Sequence, residues 1–433
     1  MAIKLLNMFK FLNTFKITKS QIFVRAFSIR FIGLGFFLFI VFTAVAQDNS
    51  YWDKPYIGKN PTLLYYPDQN ANYFRYGWEN KSGLEIVIKG KMPEARYFSF
   101  NLYDDYTKSS IAALADYEIL PDETDKSSYT IHIMPQGSAG KYRNLISLPD
   151  SVQIASIFLR YYLPQVNIYA NAPLPTINFL EAGQLKAPLS SIAPPTRSKA
   201  DMAKLKQLIS ANPNIISGKE RKLLASSTAS ITDKEPIISK VMTMPVFRFY
   251  TDSKSIGAYN FFSGGNYPNK DNHYIVMPVV RKKDNVLLVR FKAPTHGIQL
   301  GDTSKNVRYF SLSEGNEYTN TALTLYDDQL SITKDGFVYV AIANDTKEAR
   351  EKAIALGINF MPWLYKDKLV LILRHMLPNT SFNYSTNEVP VFDKSKPAKG
   401  QEASAYIGEY ALIGKFFSKS EWKTISGLQQ FGF

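Results

Sequence analysis

The hydrophobic positions of the chain fall in short runs, with few stretches of helical spacing. Leu84-Glu-Ile-Val-Ile-Lys89 alternates in part, and Tyr129-Thr-Ile-His-Ile133 alternates throughout, the period of a strand with one buried face. Ser156-Ile-Phe-Leu159 and Leu369-Val-Leu-Ile-Leu373 are continuous apolar runs of the kind that strands show when both faces are covered. Val286-Leu-Leu-Val-Arg-Phe291 and Phe337-Val-Tyr-Val-Ala-Ile342 add β-branched and aromatic residues, the second right behind a Lys334-Asp335-Gly336 turn. Many short strands without βαβ alternation predict a mainly β protein of sandwich or jelly-roll type. Two peripheral helices stand out. Ser198-Lys-Ala-Asp201 reads as a capping box, followed by Met202, Leu205 and Ile209 on one face. Thr346 and Gly357 bracket the other, with Glu348 in its first turn.

The pattern is written twice. Arg96-Tyr-Phe-Ser99 recurs as Arg308-Tyr-Phe-Ser311, and Arg160-Tyr-Tyr-Leu-Pro164 as Arg374-His-Met-Leu-Pro378. Between them Asp116 corresponds to Asp327 and Asn144 to Asn359, while upstream Pro61–Asp68 resembles Pro245–Asp252. Order and spacing persist, so the chain reads as an internal duplication. The expected organisation is two related β-sandwich/jelly-roll domains at 47–169 and 241–382, a partly helical linker at 170–240 and a C-terminal extension at 383–433 packing on the second repeat. The stretch near Gly264-Gly-Asn266 reads as a loop grafted on the second copy.

Composition changes this picture in three places. The 29 Phe and 27 Tyr suit sheet surfaces and cores. The absence of Cys excludes disulfides, thiolate metal sites and a cysteine nucleophile. The formal charge of +14 is uneven, because residues 1–46 hold six basic groups and no acidic one. The apolar run from Phe31 and the ending Ala44-Val-Ala46 read as a signal peptide at 1–46, with an uncleaved membrane anchor as the alternative. Without that leader the remaining 387 residues carry +8 and no basic cluster, which argues against nucleic acid as a partner. The protein is expected to be exported, periplasmic or extracellular, touching a membrane only through an uncleaved leader.

The run Arg96-Tyr-Phe-Ser99, Leu102-Tyr-Asp104, Asn144-Leu145 and Leu159-Arg-Tyr-Tyr-Leu-Pro164 resembles exported proteins of the domain-of-unknown-function family 1214, which often occur beside family 1254. The resemblance covers about 70 residues of the first copy and the second in outline. It implies a β-sandwich or jelly-roll domain and carries no catalytic residues.

Chemistry is sparse. The four histidines, His132, His273, His296 and His375, form no metal-type spacing, so neither a metal nor a cofactor is expected. There is no phosphate loop and no Gly-x-Ser-x-Gly elbow, and Ser331-Ile-Thr-Lys334 lacks companion motifs. His132 lies on the strand face opposite Ile131 and Ile133, a half-exposed position. It is the best acid/base candidate of the first copy, with Asp104 and Tyr103 beside it as catalytic candidates. His375, standing where the first copy has Tyr161, reads as a tolerant surface site. Asp104-Asp105 and Asp327-Asp328 read as turn residues, as do Asn144 and Asn359. Arg96, Arg160, Arg308 and Arg374 are retained in both copies. They suit ion pairs and carbonyl contacts where sheets meet, with a pair of anion-binding sites as the other reading. Two functions remain open. One is a non-catalytic binding or cell-envelope interaction protein for a glycan or protein, in which Tyr73, Tyr76 and Trp78 are candidates to stack on sugars or else ordinary core residues. The other is an extracellular enzyme with its site between the repeats.

Overall fold

Alternating side chains assemble two sandwiches of one topology. The computed structural model describes residues 51–433 except 54–55, 58–64, 138–141, 166–172, 187–188, 194–198, 212, 215, 230, 244–255, 262–266 and 298–303. The expected leader, most of the 61–68 and 245–252 match and the Gly264–Asn266 loop lie outside the described residues.

The first copy comprises β1 (Tyr56–Ile57), β2 (Ala71–Glu79), β3 (Leu84–Lys91), β4 (Ala95–Asp104) and β5 (Ser109–Ala115). It continues through β6 (Ser128–Pro135), β7 (Leu145–Leu148), β8 (Ile154–Pro164), β9 (Thr176–Glu181) and β10 (Gln184–Lys186). Three helices follow, α1 (Lys199–Ala211), α2 (Gly218–Ala225) and α3 (Ile231–Thr243). The second copy comprises β11 (Ile256–Gly257), β12 (Asn272–Val280), β13 (Val286–Lys292), β14 (Tyr309–Gly315), β15 (Thr321–Tyr326) and β16 (Phe337–Ala343). After α4 (Lys347–Ala355) come β17 (Asn359–Pro362), β18 (Lys368–Met376), α5 (Ser404–Ile407), β19 (Ile413–Phe417) and α6 (Lys419–Thr424).

The inner sheets run β1-β2-β8-β4-β5 and β12-β18-β14-β15, and the outer sheets β10-β9-β3-β6-β7 and β11-β19-β13-β16-β17. With β2–β9 set against β12–β19, these eight strands pair with one another in the same order in both copies, and the copies differ in the short edge strands β1, β10 and β11. Each outer sheet even ends in the same parallel pair, β6–β7 and β16–β17. The duplication is therefore one of topology.

On β2, Phe74, Tyr76 and Trp78 enter the first core with Phe100 of β4 and Ile157 of β8. The intervening residues face the other way, so Tyr73, Tyr97 and Tyr162 meet Tyr309 and Met376 of the second copy. Each inner sheet is thus buried twice, against its own outer sheet and against the other copy. This explains why 156–159 and 369–373 carry no polar alternation. Full burial of each such Leu, Ile or Phe contributes roughly 1.5–3 kcal/mol, which makes the seam between the copies part of the core.

The boundaries differ from expectation. β9 completes the first outer sheet from within the supposed linker, and β19 completes the second from within the supposed extension. The upstream match is also displaced. Leu163 N–H donates to Asn70 O and Leu377 N–H to Asp271 O, which sets Asp68 against Asn269 and not against Asp252. The linker holds three helices around Leu205, Ile216, Ile237, Ile238 and Val241, and Met202 is exposed. α4 is capped as expected, Thr346 accepting from Ala349 N–H and Gly357 adopting φ of 68°. With α6, which contributes Trp422, it covers the second outer sheet over Phe337, Tyr339 and Phe417.

Candidate functional site

The four arginines meet in the seam, and each crosses to the opposite copy. Arg96 of β4 pairs with Asp327 and Asp328 after β15, while Arg308 before β14 takes both oxygens of Asp116 after β5 at 2.7 Å. Arg160 of β8 donates to the Tyr267 carbonyl at 2.9 Å, and Arg374 of β18 to the Tyr66 carbonyl at 2.7 Å. The tyrosines obey the same exchange. Tyr97 OH donates to Asp271 at 2.7 Å and Tyr309 OH to Asp68 at 2.8 Å. Backbone strain is exchanged too: Tyr66 and Tyr267 have φ of 52° and 54°, and Leu163 and Leu377 have 46° and 47°. Left-handed φ in such residues costs about 1–3 kcal/mol each and persists where surrounding contacts over-determine it; here the arginine–carbonyl bonds hold both tyrosines.

One part of the seam exists in the first copy alone. Arg75, facing the same way as Tyr73, pairs with fully buried Asp105 and with Asp53 at 2.9 Å. Asp105 also accepts from Ser156 OH and, at 3.0 Å, from Tyr267 OH. The ladder places Val276 where the first copy has Arg75, and there Tyr66, Tyr259, Phe261, Val370 and Ile372 form an apolar cluster. Asp105 therefore stands in the turn after β4 but gives its side chain to the buried ion pair, whereas Asp104, the last residue of β4, supports the turn by accepting from Tyr106 N–H and Thr107 OH. Asp327 is likewise an ion-pair partner buried in the seam.

The seam's rim joins a histidine to this network. His296 Nε2 lies 3.3 Å from Asp328 Oδ1, and the group His296, Asp327 and Asp328 brings its ligand atoms within 4.8 Å of one another. Its carboxylate oxygens already have donors. Arg96 holds one on each aspartate, Phe310 N–H holds the second of Asp327 at 3.1 Å, and His296 faces the second of Asp328. A cation there would have to displace a guanidinium, so the arrangement favours an ion-pair lock over a metal centre.

The expected acid/base trio does not assemble. His132 sits on the outward face of the first outer sheet, its Nδ1 2.7 Å from Glu85 and its ring stacked on Tyr142 at 3.7 Å. Tyr103 is on the inner sheet, facing the seam, with the first core between them. Burial pushes its hydroxyl up to about 12, and it donates to the Pro268 carbonyl at 2.6 Å. Asp104 ends the same strand in its exposed turn. His375 is fully buried, as is Tyr161 whose place it takes, which corrects the surface reading. Asn144 and Asn359 are brackets. Each side chain both donates to and accepts from one residue's backbone, Leu120 or Ser331, and donates again to Thr130 O or Tyr339 O on the next strand. Tyr73, Phe74, Tyr76 and Trp78 are buried, so that segment offers no sugar platform.

Exposed aromatic surface occurs instead at the end of the second copy. Tyr384 is half exposed and stacks on Tyr410 with centroids 5.6 Å apart and planes 18° from parallel, both rings resting edge-on against Phe382. A cleft of about 240 Å³ lies elsewhere on this copy, lined by Asn344, Lys352, Lys419, Trp422 and Lys423 among others.

No family model and no curated protein matches the chain. Among solved structures, the chain is similar to an uncharacterised protein of Burkholderia cenocepacia at 9% identity, with a TM-score of 0.49, covering 86% of this chain and 82% of that one. It is also similar to the VPA0106 protein of Vibrio parahaemolyticus at 14% identity, with a TM-score of 0.42, covering 82% and 90%.

Proposed function

We propose that the chain is an exported, non-catalytic binding protein of the cell envelope, related to family 1214, whose ligand is a glycan held on the Tyr384–Tyr410 ledge. The observation that carries this reading is the ledge itself: two parallel tyrosines, one half exposed, backed by buried Phe382. The face of an aromatic ring is electron-rich and accepts the C–H-lined face of a pyranose, while the phenol rims remain free to hydrogen-bond. Lys292 and Glu409 form an ion pair beside Tyr410, with the ammonium 5.7 Å from its ring centroid, and add polar partners at the edge. The seam supports the non-catalytic part, since its arginines and tyrosines are engaged with the opposite copy.

Tyr384→Ala is expected to weaken glycan binding at least tenfold, with unchanged thermal stability because the ring is exposed. Calorimetric titration with envelope oligosaccharide fragments, and product analysis of the same mixtures, would measure both. Equal affinity in the variant, or hydrolysed fragments, would overturn the reading. The enzymatic alternative has one observation in its favour, the His296–Asp328 pair at the rim between the copies; turnover abolished in His296→Gln would support it.

A further inference from the structure

The exchange of the four arginines across the seam is uneven at Arg160. Arg374 has Asp68 3.9 Å away and Ser313 OH as a further partner. Asp68 and Asn70 open the turn before β2, and their counterparts before β12 are Asn269 and Asp271, so the acid and the amide are transposed. Both turns have the same geometry, Asn70 N–H reaching Asp68 Oδ1 at 2.9 Å and Asp271 N–H reaching Asn269 Oδ1 at 3.2 Å. The transposition turns the carboxylate of Asp271 towards the Tyr97 and Tyr117 hydroxyls. Arg160, the counterpart of Arg374, has no carboxylate in that place and keeps the Tyr267 carbonyl, the Tyr103 hydroxyl and the rings of Tyr73, Tyr103 and Phe158, whose centroids lie 5.3–5.8 Å from its guanidinium carbon.

Two donors are left over. Arg160 is 4% exposed and its Nη1 meets no acceptor among the described residues; Asn269 is 4% exposed and its Nδ2 meets none either. The amide orientation is fixed, because the Asp271 N–H must face the Asn269 oxygen. A buried guanidinium without a carboxylate beside it is costly, and rings, one hydroxyl and one carbonyl compensate it in part only. We propose that Arg160 and Asn269 together hold a small monovalent anion, a halide or a simple carboxylate, which supplies the negative charge that Asp68 supplies to Arg374. The anion is a structural ligand of the seam, and it ties the stability of the joined copies to the anion content of the medium.

The test compares thermal unfolding at constant ionic strength as methanesulfonate is replaced by chloride in one series and by formate in another. Wild-type protein is expected to gain about 2 °C in Tm per tenfold rise in the anion that fits. Chloride acting alone identifies a halide site, and formate acting alone or as well identifies a carboxylate-accepting one. The double variant Asn269→Asp/Asp271→Asn restores the order of the other turn and supplies the carboxylate internally, so its Tm should no longer depend on the anion. Arg160→Met removes the charge and should lose the dependence as well, which keeps the test open if the double variant does not fold. Absence of an anion-specific shift in wild type, or the same shift persisting in either folded variant, would overturn the proposal.

Discussion

Replacing Asp105 by alanine is expected to cost about 3 kcal/mol of folding stability, the low end of the range for removing one member of a buried ion pair, because Arg75 keeps Asp53 at 2.9 Å. The Arg75 guanidinium is 1% exposed, and on its other side it meets the Asp53 carboxylate, which is 28% exposed. Removing the carboxylate also takes the acceptor from the Ser156 and Tyr267 hydroxyls. Removing both charges together, as Arg75→Val/Asp105→Asn, is expected to cost distinctly less, because no buried charge is then left unpaired and the second copy already uses Val276 at that place. Urea denaturation of the three proteins measures the difference. A single variant within about 0.5 kcal/mol of wild type would show that Asp53 alone satisfies Arg75.

The second large effect is a pH dependence that wild type conceals. Glu314 lies on the core-facing side of β14 with Phe310 and Leu312; its Oε1 accepts from Leu364 N–H at 2.9 Å and its Oε2 has no partner among the described residues. Burial pushes its carboxyl up to about 7 from an ordinary 4.5, against the pull of the Leu364 and Tyr365 N–H groups. The folded state therefore holds a proton more tightly than the unfolded one. Stability is undiminished below pH 4.5, falls as pH rises through 7, and is then lower by about 3 kcal/mol.

His375 acts in the opposite sense. Its Nδ1 accepts from Thr386 N–H at 3.1 Å, and burial, with His273 adding to it, pulls the imidazole down to about 3 from an ordinary 6.5. Its contribution is present above pH 6.5 and is lost as pH falls towards 3. The two slopes oppose each other between pH 4.5 and 6.5, so wild type should be nearly flat there. Glu314→Gln should unmask a rise of up to about 1.4 kcal/mol per pH unit in that window and gain about 3 kcal/mol at pH 8. Stability curves of variant and wild type that run parallel from pH 4.5 to 9 would contradict this account.

How much of this was legible in the sequence depends on where each signal resides. The sandwich class and the duplication were readable because alternation, continuous runs and the Arg-Tyr-Phe-Ser and Arg-x-x-Leu-Pro strings lie within single strands. β9 alternates through Ile177 and Phe179, yet it sits among prolines that suggest a linker. β19 carries Gly414 and Lys415 at inward and edge positions, which hides its pattern. Arg75 did leave a mark, as a lone charge within an aromatic run and on the face shared with Tyr73, away from Phe74 and Tyr76. Its partner could not be found that way, because the Asp104-Asp105 doublet has the composition of a turn and only the first side chain serves the turn. His296 and Asp328 are brought together by the rim of the seam, a relation that no local spacing records. The burial of His375 followed from Tyr161 being core itself, which the exchange of one residue for the other did not disclose.

The central claim is that the two copies are one body, joined by contacts exchanged across the seam. The most direct test is a double-mutant cycle on Arg308 and Asp116, which are 192 positions apart and bound through both carboxylate oxygens. Arg308→Ala, Asp116→Ala and the double variant, compared by urea denaturation, should give a coupling energy of about 2 kcal/mol. A coupling below about 0.3 kcal/mol, with the single effects simply adding, would mean that the sandwiches do not meet as described.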